Sequence, residues 1–343
     1  MALCKNEIEA KTGGVATKIV SFVGERVDGT TANDQPFENN KRLARVMFLC
    51  DADPYTLNIL QWLVTLNFCQ VTAVVIPSSK ASIGNRIRAI TDLSEEQILR
   101  GDDLSQLEVQ EKIRSWQPDI ILSVYFPHIL RREILEIPRL GAINLHPSLL
   151  PYNRGYWPEV WALIEQTPAG VTLHYMDDKV DTGDIIAQRE VPRLWSDTGE
   201  TLLRRIEETG FSLLKEELSN VLSGKATRTS QKNEGGTVHK HKEIEKISKI
   251  SLDKTYTGIE LINILRAVTI PAELPGAYFE IPGTGEKVFM ELRLRSESEV
   301  LAQRENSLSE IGEAAAQKKL RLAAKGEAPV PEFNLKSLIS VQV

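Results

Sequence analysis

Asn144 and His146 stand two positions apart in Asn144-Leu-His146-Pro-Ser-Leu-Leu-Pro151, and Asp181 follows in Val180-Asp181-Thr-Gly-Asp184. An amide, an imidazole and a carboxylate together suit acyl-transfer chemistry. An amide N–H and a protonated imidazole can both donate to a developing oxyanion. A carboxylate can hold that imidazolium in place or move protons through water. Spacing alone does not bring the three together. Asn144 and His146 can equally satisfy backbone groups at a strand end, and Asp181 can cap a turn.

The surrounding elements must position these residues. Residues 45–50 (RVMFLC), 70–77, 119–124 and 141–145 are short apolar runs that predict strands, and residues 55–66, 109–116 and 130–135 carry helical patterns. Between them, 79–104 is polar and predicts mostly helix or loop. Such alternation implies an α/β fold, with a Rossmann-like, mostly parallel sheet covered on both faces. Asn144 and His146 share one face of the fourth predicted strand, at its carboxyl end, where open parallel sheets bind ligands. After Pro151 the pattern predicts a helix at 157–165, paired strands at 170–176 and 184–191, and a long amphipathic helix at 200–222. Asp181 falls in the turn between the paired strands. A cis Leu150–Pro151 peptide is expected where the chain turns sharply after the fourth strand.

From about Gly224 the chain is polar (ATRTSQKNEGGTVHKHKE), which predicts a linker. A small C-terminal β-rich or α+β unit follows, with a helix at 258–267, turns at Pro271 and Pro275, and strands at 276–281 and 287–294. The expected organisation is an N-terminal extension (1–42) and a catalytic domain (43–223). A linker with a small C-terminal domain (224–300) comes next, then a helix at 303–326 and a tail within 301–343. The extension holds one weak apolar patch at 19–23, readable as an added strand.

Composition narrows the function classes. The chain has 343 residues, 41 Lys+Arg against 47 Asp+Glu, and a formal net charge of -6. No apolar run approaches the roughly 18 residues of a membrane span, so no membrane association is expected. The first residues lack the apolar region of a secretory signal. Cys4, Cys50 and Cys69 form no CxxC pair, so reduced thiols and a cytoplasmic location are expected. The five histidines include one close pair, His239-Lys-His241, which falls in the polar stretch and predicts an incidental surface pair. No metal site is expected.

Residues 117–191 closely resemble the 10-formyltetrahydrofolate-dependent formyltransferase family. Three ordered blocks carry the likeness: Asn144-Leu-His146-Pro-Ser-Leu-Leu-Pro151, Gly170-Val-Thr-Leu-His174 and Val180-Asp181-Thr-Gly-Asp184. The resemblance implies the formyltransferase fold, with Asn144, His146 and Asp181 as the catalytic triad and 10-formyltetrahydrofolate as formyl donor. It implies a folate pocket built from Tyr125, Phe126, Ile129 and Leu130 and from Tyr175, Met176, Asp177 and Asp178. On the acceptor side it implies Ser148, Asn153, Arg154, Gly155 and His174. Arg154 would then meet a diphosphate, which a guanidinium matches well.

Pro151-Tyr-Asn-Arg154-Gly155, Gly235-Gly-Thr-Val-His-Lys240, Leu252-Asp-Lys-Thr-Tyr256 and Leu261-Ile-Asn-Ile-Leu-Arg266 look most like the sugar N-formyltransferases. These act on an amino sugar linked to a nucleotide, and their C-terminal unit often forms a homodimer. Two departures stand against that likeness: Glu159 replaces an expected amide residue, and Ala267-Val268-Thr-Ile-Pro271 replaces an expected turn. Methionyl-tRNA formyltransferase is the nearest alternative, because Pro275-Gly-Ala-Tyr-Phe-Glu280 resembles part of its C-terminal domain. Binding of tRNA should show as a basic surface. Residues 221–260 hold eight Lys/Arg against five acids, and residues 301–343 hold six against five, only a mild excess. A formyltetrahydrofolate hydrolase, with water in place of the amine, is a third reading.

Overall fold

The apolar run near residue 45 forms β1 (Ala44–Cys50), buried from Val46 to Cys50. Its alternate side chains enter opposite layers. Val46, Phe48 and Cys50 join one hydrophobic cluster, and Met47 and Leu49 join the other. Burial on both faces explains why this strand is apolar without alternation. In this computed structural model, residues 42–232, 235–270 and 274–304 are described, with positions 306, 309 and 317 beyond them.

The chain continues through α1 (Pro54–Leu63), β2 (Cys69–Ile76), α2 (Gly84–Thr91), β3 (Ile98–Arg100), α3 (Leu107–Trp116), β4 (Ile120–Val124), α4 (Arg132–Leu135) and β5 (Ala142–His146). It then forms β6 (Arg154–Gly155), α5 (Pro158–Ile164), β7 (Ala169–Tyr175), β8 (Ile185–Val191) and α6 (Gly199–Leu222). Among the described residues the main sheet has seven strands in the order β3-β2-β1-β4-β5-β7-β8. Pairing is parallel from β3 across to β5, and antiparallel at β5–β7 and β7–β8.

Two helix starts have visible causes. At α1 the Asp53 carboxylate accepts the Thr56 N–H at 2.7 Å, with Pro54 at the first helical position. At α6 Thr198 caps the helix, and Leu202, Ile206, Leu213, Leu214, Leu218 and Val221 form its buried stripe.

Two expectations are corrected here. The polar stretch 79–104 contains a strand, β3, which pairs in parallel with β2 through Val74–Ile98 and its neighbours. The stretch from 224 is not a free linker. Thr229 bridges Ile185, and β9 (Val238–His239) pairs with β6. Beyond it lie α7 (Glu243–Ser248), α8 (Gly258–Ala267), β10 (Thr269–Ile270), β11 (Leu274–Pro275), β12 (Ala277–Glu280) and β13 (Lys287–Met290). The last two pair antiparallel, close to the strands expected at 276–281 and 287–294.

The described residues up to 292 and those from 293 onward group as two compact units. In the second, residues 297–304 are helical, as are the described positions 306, 309 and 317, so the helix begins at 297, ahead of the helix expected at 303–326. The apolar patch at 19–23, the turn at Pro271 and the tail from 329 lie outside the described residues. No helix among the described residues is long and apolar enough to cross a membrane.

Candidate active site

β5 carries Asn144 and His146 to its carboxyl end, and antiparallel pairing sets Asn144 opposite His174 on β7. Directly opposed residues share a face of the sheet. Asp181 lies in the turn between β7 and β8, in a left-handed conformation with φ 52°. Asn144 Nδ2 lies 3.4 Å from Asp181 Oδ1 and 3.3 Å from His174 Nε2. His146 Nδ1 lies 3.7 Å from Asp181 Oδ2, and His174 Nε2 lies 3.5 Å from Asp181 Oδ1. The Asp181 carboxylate therefore sits among Asn144, His146 and His174.

Partner chemistry sets the tautomers. A carbonyl oxygen can only accept, so the 3.2 Å contact of His146 Nε2 with Asn153 O places a proton on Nε2. The 2.7 Å contact of His174 Nδ1 with Tyr175 O likewise places a proton on Nδ1. That leaves His174 Nε2 as an acceptor for Asn144, and His146 Nδ1 as the basic nitrogen facing Asp181. The Asn144 bonds are long, and such bonds exchange readily for a stronger acceptor when substrate enters.

Burial pushes His146 below the ordinary imidazole pKa of 6.5; Asp181 opposes the shift and His174 adds to it. Burial thus favours the uncharged form of His146 in the resting site. Burial works against the charge on Asp181, but in the acid range positive charge on His146, with His174 and the Gly155 N–H, outweighs it and holds the carboxyl below its ordinary 3.8. Unfolding restores both ordinary values. Stability from His146 is thus lost as pH falls below 6.5, and stability from Asp181 is lost further down, below 3.8. A pH profile of kcat/KM should keep its acid limb below pH 6.5. A limb at or above that value, in a profile corrected for the ionisation of the attacking amine, would contradict a neutral His146.

The group opens into a cavity of about 700 Å³ lined by the ends of β1, β4 and β5. Tyr125, Phe126, Ile129, Leu130, Met176 and Asp177 line it, so most of the expected folate-side residues share one space. Leu130 is buried, whereas Ile129 stands exposed at the mouth. Tyr175 and Asp178 do not share this space. The Tyr175 ring packs under the Arg228 guanidinium, 3.5 Å away, and Asp178 is exposed outside.

The acceptor-side residues divide in the same way. Gly155 and His174 line the cavity. Ser148 is buried behind it and its carbonyl accepts from Thr172 Oγ1, while Asn153 is buried and donates from Nδ2 to Thr167 Oγ1 at 2.8 Å. Arg154, expected to face a diphosphate, is instead buried with its guanidinium turned inward. Nε donates to Asp181 O at 3.1 Å and NH2 to Gln231 Oε1 at 2.7 Å. The Leu150–Pro151 peptide is cis.

Several site residues carried no signal in the sequence. Asp51, Asp53, Trp157 and Glu159 line the cavity, although only Glu159 stands out, as a departure from an amide. His239 and His241 are not incidental. His239 is buried and stacked on Trp161 at 3.9 Å, between Glu165 and Glu243, and His241 lines the cavity against Tyr156.

Residues 65–218 match the formyl transferase family model, and residues 243–296 match the N-formyltransferase dimerization C-terminal domain. A methionyl-tRNA formyltransferase of Bacillus pumilus (strain SAFR-032) is 31% identical over 254 residues, 72% of this chain and 78% of that protein. The crystal structure of a 4-N formyltransferase from Francisella tularensis superposes with a TM-score of 0.64 at 26% identity, covering 74% of this chain and 98% of that one. A sugar N-formyltransferase from Shewanella sp FDAARGOS_354 shares the fold, with a TM-score of 0.63 at 23% identity and coverage of 74% and 99%.

Proposed function

Because the chain belongs to the formyltransferase family, we propose that it transfers a formyl group from 10-formyltetrahydrofolate to a primary amine on a nucleotide-linked amino sugar. The observation that carries this reading is the convergence of Asn144, His146 and Asp181 at one wall of the cavity. Phe126, Leu130 and Met176 give that cavity an apolar side beside these polar groups, a donor set that suits a flat heteroaromatic ring. The folate, when bound there, supplies an activated formyl carbon.

The protein's own groups divide the remaining work. Neutral His146 takes the proton released by the attacking amine at Nδ1, and the imidazolium so formed lies beside the Asp181 carboxylate. The Asn144 amide then turns a donor from its weak internal bonds to the oxygen that gains charge. Asp181 stabilises the charged form of His146, which would return the proton to the departing folate nitrogen as its bond to the formyl carbon breaks.

Support for a sugar acceptor comes from the likeness of residues 151–155, 235–240, 252–256 and 261–266 to the sugar N-formyltransferases. The Francisella 4-N formyltransferase and the N-formyltransferase match at residues 243–296 support a nitrogen as the formyl acceptor. The same C-terminal match supports a homodimer formed through that region, and a cytoplasmic location belongs to the same proposal. The Bacillus relative favours a second reading, with methionyl-tRNA as acceptor. A screen of 10-formyltetrahydrofolate against nucleotide-linked amino sugars, free amino acids and methionyl-tRNA separates the two. Formamide formation on an amino sugar, matched by tetrahydrofolate release, is expected. Turnover confined to methionyl-tRNA would select the second reading. Folate release independent of any amine would indicate hydrolysis and overturn both.

A further inference from the structure

Residues 219–242 lie between the two segments matched by family models and belong to neither. Their polarity predicts a spacer, yet this segment returns to the catalytic group. Thr229 exchanges backbone bonds with Ile185, Thr237 Oγ1 accepts from Asn153 N at 3.0 Å, and β9 pairs with β6. Between these anchors Gln231 meets the turn that carries Asp181. Its Nε2 donates to Asp181 O at 2.9 Å and to Gly183 O at 2.8 Å, while its Oε1 accepts from Arg154 at 2.7 Å. The amide can face only one way. Reversed, it would turn an oxygen on two carbonyls and a donor on a guanidinium.

We propose that Gln231 is a positioning residue for Asp181, a role that rests on the formyl-transfer reading above. Asp181 occupies a sparsely populated left-handed conformation, and such residues persist where their surroundings over-determine them. Gln231 and Arg154 both hold the Asp181 carbonyl, and Gln231 also ties that carbonyl to Gly183 two residues on. With the backbone held on that side, the carboxylate is free to face His146, Asn144 and the Gly155 N–H. Gln231 does not itself line the cavity, and the lining residue its hydrogen bonds reach is Asp181, so it acts on the site through Asp181.

Gln231→Met keeps the side-chain length and removes both donors. Turnover should fall by about 10- to 100-fold, since a small misplacement of a reacting group can cost 100-fold, with KM for both substrates little changed. The double variant Gln231→Met/Asp181→Asn should be no slower than Asp181→Asn, because residues that act as one unit are not additive. The His146 ring, followed by NMR, should titrate at lower pH in Gln231→Met than in the parent chain, because the Asp181 charge that favours its protonation has moved away. Gln231→Glu keeps the acceptor for Arg154 but loses both donors, and should behave like Gln231→Met if the latter folds poorly. Unchanged kcat in either folded variant, additive losses in the double variant, or an unmoved His146 titration would overturn the proposal. If the parent chain formylates no amine, the functional reading fails, and the His146 titration still tests Gln231.

Discussion

His146→Ala should lower turnover by about 10²–10⁴-fold, the usual contribution of a positioned general base. His146 ends β5, and the sheet around it is set by Leu145 and Ile143, which enter the hydrophobic core. The fold should therefore survive, with circular dichroism and cooperative melting retained. Asn144→Ala should show a loss of the same order, because its N–H groups lie against His174 and Asp181 at the same wall. Single-turnover measurements at saturating substrate place both losses in the chemical step. Turnover close to that of the parent chain in His146→Ala would remove the basis for the triad.

Gly155→Ala should be nearly as damaging, for a steric reason. Gly155 has φ 90°, a conformation that side chains disfavour, and a Cβ there would run into the carbonyl oxygen of His239. The same residue donates its N–H to Asp181 Oδ2 at 2.8 Å. Accommodating the methyl must open the β6–β9 pair and withdraw that donor from the carboxylate. A stability loss of about 1–3 kcal/mol is expected in urea unfolding, together with a fall in kcat of about 100-fold. A variant that melts early but keeps full kcat would show that Asp181 does not need this donor. Gln231 reaches Asp181 from the backbone side and Gly155 from the carboxylate side, so the two variants probe separate supports.

The sheet, with Asn144 and His146 at the end of β5, was legible in the sequence because burial imposes apolar runs, whereas only the family resemblance joined Asp181 to them. β1, β2, β4 and β5 are apolar runs, and Asn144 and His146 break the last of them on one face. β3 was not legible. It has three residues, follows a polar stretch and takes its place from pairing with β2. The segment from 226 to 241 was hidden for the opposite reason. Side-chain and backbone hydrogen bonds hold it, as at Thr227, Gln231 and Thr237, and polar residues with distant partners look like solvated ones in a sequence. Arg154 illustrates the same limit. Its type suited a phosphate, but the carbonyl of Asp181 and the amide of Gln231 claim it.

The return of that polar segment also bears on how the protein is made. Asp181 leaves the ribosome 50 residues ahead of Gln231, and Gly155 precedes its partner His239 by a still longer stretch. The sheet can assemble while the catalytic turn still lacks its later supports, so competence arrives after the fold during translation. A released fragment ending near residue 223 should fold yet be catalytically poor, and the shortest active fragment should extend past His239.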